Sequence, residues 1–318
     1  MIETSELSKV FGRVVALDGL SVRVGDGVTG LVGANGAGKS TLLKILLGLL
    51  PATQGSAQVL GHDVVTDGAA IRAQVGYMPE HDCLPPDVSA SEFVVHLGQM
   101  SGLPMVAARE RASDVLRHVG LAEERYRPIG GYSTGMRQRV KLAQSLAHDP
   151  ALVLLDEPTN GLDPAARDDM LRLIRRIGTE FGIAVLVTSH LLGELERISD
   201  HVIILDEGRL LRSSSTADFT GSTGVLHVEV QGTETAGGVA DTEVRDRLGK
   251  ALADAGLQVR PDGAGVAVAA PEESVYDLIR DTTCELGLGL VRLEQGRHRM
   301  EEVFRDDGSA GGVHVPGR

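Results

Sequence analysis

The feature that most constrains this chain is a glycine-rich loop between an apolar run, Val28–Val32, and a leucine-rich helix pattern. The loop consists of Gly33, Ala34, Asn35, Gly36, Ala37, Gly38, Lys39, Ser40 and Thr41. Glycines permit the backbone angles that turn successive N–H groups toward an anion, and the dipole of the following helix adds to that site. A plain glycine-rich turn does not explain a Lys-Ser pair directly after the third glycine. The spacing predicts a nucleoside triphosphate site in which Lys39 reaches the β- and γ-phosphates and Ser40 binds Mg²⁺.

Two adjacent carboxylates follow a second apolar run, Leu152–Leu155. The run is typical of a buried parallel strand, and Pro158 prevents it from continuing, so Asp156 and Glu157 emerge at its carboxyl end. Open α/β sheets bind ligands at that edge. Two acids after a strand are often only solvated, but together with the phosphate loop they predict chemistry. Asp156 is expected to hold Mg²⁺, and Glu157 to accept a proton from the water that attacks the γ-phosphorus.

Between these two motifs, the run Tyr132-Ser133-Thr134-Gly135-Met136-Arg137-Gln138-Arg139 precedes a helical stretch. Ser133 taken alone is equally well explained as a helix N-cap. With the motifs on either side, the set resembles the nucleotide-binding subunit of an ATP-binding cassette (ABC) transporter. Ser133 and Gly135 match the serine and second glycine of the family signature, whose helix N-terminus would present amides and a hydroxyl to a γ-phosphate.

The resemblance implies a head-to-tail pair of subunits. In that family the signature of one subunit completes the ATP site of the other, so Ser133 and Gly135 would act on the nucleotide of a second copy, and two ATP molecules would lie between the copies. Tyr132, Thr134 and Met136 depart from the common Leu-Ser-Gly-Gly-Gln pattern. These departures resemble the subgroup that works with export-type permeases.

Three further positions match the family individually. Phe11 corresponds to the aromatic residue that stacks on adenine, although it could also be a core residue at a strand end. Asp163 lies in the loop that crosses the dimer interface and links the two sites, and it also fits a helix N-cap with Pro164 at the first helical position. His190 matches the switch histidine that contacts the γ-phosphate, whereas a histidine just past a strand is often a surface residue.

Glu80 stands where the family usually has a glutamine that senses Mg²⁺ and the attacking water. An ionised glutamate also binds the cation, but it adds negative charge beside a triphosphate. A similar role with a stronger magnesium dependence is therefore expected. The alternative is a solvated loop acid with no role in catalysis.

Composition narrows the partners and the compartment. The 318 residues have a net charge of −13, and a nucleic-acid surface needs clustered Lys and Arg, so no nucleic-acid partner is expected. The two cysteines, Cys83 and Cys284, lack metal-ligand spacing and are expected to be free thiols. No apolar run reaches the length that crosses a bilayer, and the amino terminus lacks the pattern of a signal peptide. The sequence thus predicts a cytoplasmic protein that lies on the cytoplasmic face of the membrane through a separate permease.

The element pattern predicts an α/β fold, a P-loop NTPase of the ABC type. It has a mostly parallel sheet, antiparallel strands at the amino terminus with turns at Asp18-Gly19 and at residues 25–27, and helices that alternate with strands. Residues 1–219 are assigned to the ATP-binding domain, with a helical subdomain at about 82–147. A boundary is expected at residues 213–216. Residues 220–306 are predicted to form a small α+β accessory domain with a closing helix at 300–304, and residues 307–318 a flexible tail.

The predicted function is ATP hydrolysis, with Mg²⁺, that drives a separately encoded membrane permease, in the direction of export. An alternative is a soluble ABC-type ATPase that acts on ribosomes or DNA. Such proteins carry paired cassettes or a long coiled coil, and neither layout is present here. A third possibility is a regulator or immunity factor, which the intact Lys39, Asp156, Glu157 and His190 argue against.

Overall fold

The computed structural model describes residues 1–216, 222–232, 241–263, 265–269 and 274–297. Two compact units divide the chain, Met1–Thr216 and Ala217–Arg318. The helix predicted at 300–304 and the tail predicted at 307–318 lie outside the described residues. Within the described part of the chain, no helix is long and apolar enough to cross a membrane.

The first unit alternates strands and helices along most of its length. Its strands are β1 (Ile2–Phe11), β2 (Val14–Leu20), β3 (Arg23–Val24), β4 (Val28–Val32), β5 (Gln54–Val59), β6 (His62–Asp63), β7 (Val75–Met78), β8 (Leu152–Leu155), β9 (Ala184–Ser189), β10 (His201–Asp206) and β11 (Arg209–Ser215). Its helices are α1 (Lys39–Leu46), α2 (Gly68–Gln74), α3 (Ala90–Met100), α4 (Met105–His118), α5 (Thr134–Leu146), α6 (Pro164–Thr179) and α7 (Leu192–Ile198), with short 3-10 turns at Glu124–Tyr126 and Ile129–Gly131.

A six-stranded sheet in the order β11-β10-β4-β9-β8-β7 forms the centre of this unit. Every neighbouring pair in it is parallel except the β10–β11 hairpin. Strands β4, β8 and β9 are buried along their whole length, as expected for apolar strands covered by helices on both faces. The mostly parallel sheet predicted from the sequence is therefore present.

The amino-terminal strands form a second sheet, antiparallel, in the order β2-β1-β5-β6 with β3 paired to β1. The turn predicted at Asp18-Gly19 is wrong, because both residues lie inside β2. Gly19 has a φ of 61°, and the pairing of β1 with β2 shifts register, so the irregular residues are absorbed as a bulge. Residues 25–27 do form the turn between β3 and β4.

The helical subdomain contains α3 and α4, which pack against each other. Helix α3 starts with a capping box: the Ser89 hydroxyl accepts from Glu92 N at 3.2 Å, and Glu92 Oε2 accepts from Ser89 N at 2.9 Å. These reciprocal bonds fix the first turn, and the hydrogen bonds from Ser89 lower the pKa of the Glu92 carboxyl.

The two units divide after Thr216, the last residue of the boundary predicted at residues 213–216, but Ser213, Ser214 and Ser215 pair with β10 as part of β11. Their short polar side chains resemble a linker in sequence, but the hairpin partner sets their conformation. The described elements of the second unit are β12 (Ser222–Gly232), α8 (Asp241–Asp254), β13 (Val259–Asp262), β14 (Gly265–Ala269), α9 (Ser274–Glu285) and β15 (Leu288–Arg297). The four strands of this unit form an antiparallel sheet in the order β13-β14-β12-β15. Its core contains Leu226, Val228, Leu248, Leu252 and Ile279.

Candidate nucleotide site

The carboxyl edge of the six-stranded sheet collects the predicted site residues. Val32, the last residue of β4, pairs with Ser189 at the end of β9, and Leu155 at the end of β8 pairs with Met78 at the end of β7. Leu155 also pairs with Val187 of β9, two residues before that strand ends, so the segments that follow the four parallel strands leave from the same edge of the sheet. These segments carry the phosphate loop, Glu80, the two adjacent acids and His190.

The phosphate loop lies close against neighbouring backbone. Gly38 has a φ of 98°, and a Cβ at this residue would lie 2.4 Å from Ala16 O of β2. A Cβ on Gly33 would lie 2.6 Å from Leu205 O. Side chains are therefore excluded at both positions, and α1 begins directly after the loop at Lys39. This arrangement places the loop amides and a helix N-terminus together, which is a site for an anion.

Lys39 is buried, with 6% of its side chain exposed. Its ammonium group donates to Gly33 O at 2.6 Å and to Ala34 O at 3.3 Å. It also lies 3.2 Å from Glu157 Oε1, an ion-pair distance, although Oε1 has no partner with hydrogen-bond geometry. The lysine therefore connects the phosphate loop with the carboxylate predicted to act as the base.

Asp156 is buried and accepts two hydrogen bonds through the same oxygen. Ser40 Oγ donates to Asp156 Oδ1 at 3.2 Å, and Thr188 Oγ1 donates to it at 3.0 Å. Burial raises the pKa of the Asp156 carboxyl, the two hydroxyls oppose that shift, and the charges of Glu80 and Glu157 add to it. A carboxylate with little solvent, beside a hydroxyl and a second carboxylate, provides the oxygen ligands that suit Mg²⁺.

Glu157 has a φ of 49°, in the left-handed region that non-glycine residues rarely adopt. Its backbone N donates to Thr188 Oγ1 at 2.8 Å. His190 Nδ1 lies 2.9 Å from Glu157 Oε2. The strained backbone and these contacts hold the carboxylate between Lys39 and His190, and such strain concentrates at functional sites.

Glu80 follows β7 and joins a separate set of contacts. Its Oε1 accepts from Asn160 Nδ2 at 3.2 Å, and its backbone O accepts from Lys141 Nζ at 2.8 Å. Gln138 Nε2 donates to Asn160 O at 3.1 Å. Helix α5 thereby contacts both the Glu80 segment and the loop after Glu157, and burial lowers the pKa of the Lys141 ammonium. Glu80 is half-buried and is held by Asn160, and its role in binding the metal stays a prediction.

Phe11 lies at the end of β1, paired with Val14 of β2. Its side chain is 46% exposed, so the alternative of a core residue is wrong. The Lys9 ammonium lies 5.0 Å from the centre of its ring. The same hairpin approaches the phosphate loop through Ala16 of β2, whose carbonyl oxygen lies close to Gly38.

Ser133, Gly135 and Asp163 form a second group. Ser133 caps α5 by accepting from Met136 N at 3.3 Å, and Asp163 caps α6 by accepting from Ala166 N at 2.9 Å. A Cβ on Gly135 would lie 3.6 Å from Ala166 Cβ, so the two helix starts adjoin. The Ser133 side chain is exposed, which leaves it accessible to a partner.

Three residues that the motifs did not single out also belong to the site. Thr188 holds Asp156 and the Glu157 backbone, Lys141 holds the Glu80 segment, and Glu194 accepts from Thr159 and Ser189. All their partners except Ser189 are distant in sequence, so no local pattern reveals them. The only sequence signal is a charged residue inside an otherwise apolar helical face, as at Lys141 and Glu194.

Known proteins are similar to this chain in sequence and in fold. Residues 17–160 match the family described as ABC transporter. The chain is 32% identical, over 95% of its length and 91% of the relative, to the daunorubicin/doxorubicin resistance ATP-binding protein DrrA of Streptomyces peucetius. It is 36% identical, over 66% of its length and 68% of the relative, to the bacitracin transport ATP-binding protein BcrA of Bacillus licheniformis. A solved dimer of an ATP-binding cassette in a post-hydrolysis state, with ADP and phosphate, has the same fold, with a TM-score of 0.62 and 23% identity over 68% of this chain and 99% of that chain.

Proposed function

This chain belongs to the ABC transporter family as an ATP-binding subunit, and we propose a role in ATP binding or hydrolysis for each residue of its nucleotide site. The subunit is an ATPase whose hydrolysis is coupled to transport. The observation that carries the proposal is the convergence of Lys39, Asp156, Glu157 and His190 at one sheet edge. The alternative of an ATPase acting on ribosomes or DNA has no support among the relatives.

The phosphate loop and Lys39 bind the β- and γ-phosphates. The ammonium exchanges its bonds to Gly33 O and Ala34 O for charged phosphate oxygens, which are stronger acceptors. Phe11 stacks on the adenine with its exposed ring. Because a ring face selects weakly among bases, discrimination between ATP and GTP is expected to be modest.

Ser40, Asp156 and Glu80 hold Mg²⁺ when it is bound. Their oxygens fit a hard cation, and the raised pKa of Asp156 shows that its surroundings disfavour an uncompensated negative charge. The cation supplies charge neutralisation at the phosphate oxygens. The hydroxyl of Thr188 keeps the Asp156 carboxylate oriented toward Ser40.

Glu157 takes the proton of the attacking water as the new oxygen–phosphorus bond forms and the γ-phosphate leaves ADP. Lys39 and His190 flank its two oxygens at 3.2 and 2.9 Å. A positioned general base contributes about 10²- to 10⁴-fold to a rate. In this proposal His190 contacts the γ-phosphate and aligns the base, and its 2.9 Å contact with Glu157 supports the second role.

The working assembly is a head-to-tail dimer in which the exposed Ser133 and the half-buried Gly135 of each copy complete the site of the other. Asp163 lies in the loop that links the two sites. The dimer acts from the cytoplasmic face of the membrane on a separate permease. Export is the expected direction, since relatives such as DrrA are named for drug resistance.

The first test is Glu157→Gln with Mg-ATP. We expect this variant to bind ATP, to lose turnover by about 100-fold or more, and to accumulate as an ATP-bound dimer in size-exclusion chromatography. Glu180→Gln, an exposed position at the end of α6, is the matched control and should behave as wild type. A monomeric Glu157→Gln that hydrolyses ATP normally would rule out the assignment.

Complementation tests the head-to-tail arrangement. Lys39→Ala and Ser133→Ala homodimers each have two defective sites. A mixed dimer has one intact site if Ser133 acts across the interface, and none if it acts within its own copy. Recovery of ATPase activity on mixing therefore supports the proposal, whereas mixtures as inactive as the separate variants contradict it.

Co-purification from membranes with a multi-span protein, followed by transport in vesicles, tests the permease and the direction of transport.

A further inference from the structure

Glu194 is a buried carboxylate that is not one of the proposed catalytic residues but contacts three segments near them. Glu194 lies in the first turn of α7 and is 7% exposed. Its Oε2 accepts from Thr159 Oγ1 at 2.7 Å and from Ser189 Oγ at 3.0 Å. Its Oε1 lies 3.2 Å from Arg167 Nε. One side chain thus accepts hydrogen bonds from the loop after β8 and the end of β9 and forms an ion pair with helix α6.

Both hydroxyl donors lie close in sequence to a residue of the proposed site. Thr159 follows Glu157 and Pro158 and leads into the loop that contains Asp163. Ser189 directly precedes His190, and its Oγ also accepts from Leu191 N at 3.0 Å, on the other side of the histidine. His190 in turn contacts Glu157. The contacts close a ring in which Glu157 and His190 form one end and Glu194 the other.

The packing of α7 on α6 does not require this carboxylate. Met170, Leu171 and Ile174 of α6 and Leu192 and Leu195 of α7 are buried apolar residues, and Arg197 pairs with Asp168 at 2.7 Å on the surface between the same helices. A buried charge is costly, and apolar residues of similar volume are often as stable. A charged residue here therefore serves something besides the stability of the helix pair.

We infer that Glu194 is a positioning residue that couples the loop at 158–163 to His190. The inference rests on the proposed function of Glu157 and His190. When the loop shifts as the subunits approach, Thr159 moves the carboxylate, and Ser189 carries that movement to the histidine. The geometry of the base in one copy is thereby linked to the loop that faces the other copy.

Steady-state ATPase kinetics of the purified full chain test this coupling. Glu194→Leu removes all three contacts, and Glu194→Gln keeps an oxygen acceptor for the hydroxyls. We expect kcat to fall about 10- to 100-fold for Glu194→Leu, since small misplacements of catalytic groups cost rate on this scale. KM for ATP should stay within about twofold, because the phosphate loop is untouched, and Glu194→Gln should recover part of kcat. Asp168→Asn, which breaks the surface pair between the same helices, is the matched control and should keep the wild-type kcat.

A double-mutant cycle with His190→Ala distinguishes a role of Glu194 in positioning the histidine from a role in stability alone. If Glu194 acts through His190, Glu194→Leu lowers kcat little further in the His190→Ala background. Equal losses in both backgrounds, or a lower melting temperature with an unchanged kcat, would overturn the inference. If Glu194→Leu does not fold, the single-hydroxyl variants Thr159→Val and Ser189→Ala take its place with the same expected fall in kcat. Absence of ATPase activity in the wild type would instead refute the proposed function.

Discussion

Lys39 and Glu157 form a buried ion pair, with Nζ 3.2 Å from Oε1 and 6% of each side chain exposed. The pair joins the phosphate loop to the end of β8, so the ammonium group that we propose binds the nucleotide also neutralises the proposed base. A triphosphate must compete with Glu157 and with two loop carbonyls for one ammonium group. The free energy of binding therefore depends on exchanging these contacts for phosphate oxygens.

Lys39→Ala is expected to lower ATP affinity by about 10-fold or more, because a hydrogen bond to a charged group is worth about 1.5–3 kcal/mol. Titration with a fluorescent ATP analogue measures the change. Lys44→Ala, on an exposed position of the same helix, is the control and should leave affinity unchanged. Equal affinity in both variants would show that Lys39 does not bind the phosphates.

Phe11→Ala is expected to raise the dissociation constant for ATP by about fivefold or more, since stacking of a base on an aromatic ring is worth about 1–3 kcal/mol. Phe11→Trp should retain binding, because it keeps a ring face. Val14→Ala removes a neighbouring exposed apolar side chain and serves as the control. A Phe11→Ala protein with wild-type affinity for ATP and ADP would show that the ring does not contact the base.

Much of the site was predictable because its chemistry lies in contiguous motifs. The phosphate loop, Asp156 with Glu157, and His190 each follow a buried strand, and parallel strands bring their carboxyl ends to one edge without further information. The helix caps at Ser133 and Asp163 were also predictable from the sequence, since capping is a local interaction.

The remaining features depend on pairing between distant segments. The bulge at Gly19 depends on the register between β1 and β2. The serines of β11 have the composition of a linker, and only their pairing with β10 makes them a strand. The hydrogen bonds from Lys141 to Glu80, between Thr188 and the two acids, and from Thr159 to Glu194 join residues far apart in the chain. Such contacts are set by tertiary packing, which leaves no periodic signal in the sequence.

Asp156→Asn is expected to raise the stability of the nucleotide-free protein near neutral pH while abolishing ATPase activity. Burial raises the folded-state pKa of this carboxyl above its ordinary value of 3.8. The unfolded chain therefore releases the proton first, and stability falls as pH rises from 3.8 through the folded-state pKa. Asparagine keeps an oxygen acceptor for Ser40 and Thr188 without the charge.

Thermal unfolding from pH 4 to pH 8 measures the effect. The melting temperature of Asp156→Asn should exceed that of wild type at pH 8, and the difference should shrink toward pH 4. Asp87→Asn, at an exposed position in the loop before α3, provides the comparison for charge removal alone. A difference that is constant with pH would contradict the account of a desolvated carboxylate.

Glu80→Gln is expected to raise the magnesium concentration that half-saturates ATPase activity. Glu80 contributes negative charge near Asp156, and its Oε1 is fixed by Asn160 while its backbone is fixed by the buried Lys141. Glutamine can accept from Asn160 in the same way, so the substitution removes charge with little change in shape. Weaker attraction for a divalent cation follows, because the local charge is the main source of that attraction.

Titration of ATPase activity with magnesium at fixed ATP gives the half-saturating concentration. Asp82→Asn removes a charge from an exposed position two residues along the same segment and should leave it unchanged. Lys141→Met is the converse variant: it removes the donor to Glu80 O while keeping side-chain length, so it should disturb turnover through the position of Glu80 rather than through its charge. If turnover, magnesium dependence and coupling to transport are all unchanged in Glu80→Gln, the residue has no special role, and the segment after β7 contributes only its backbone to the site.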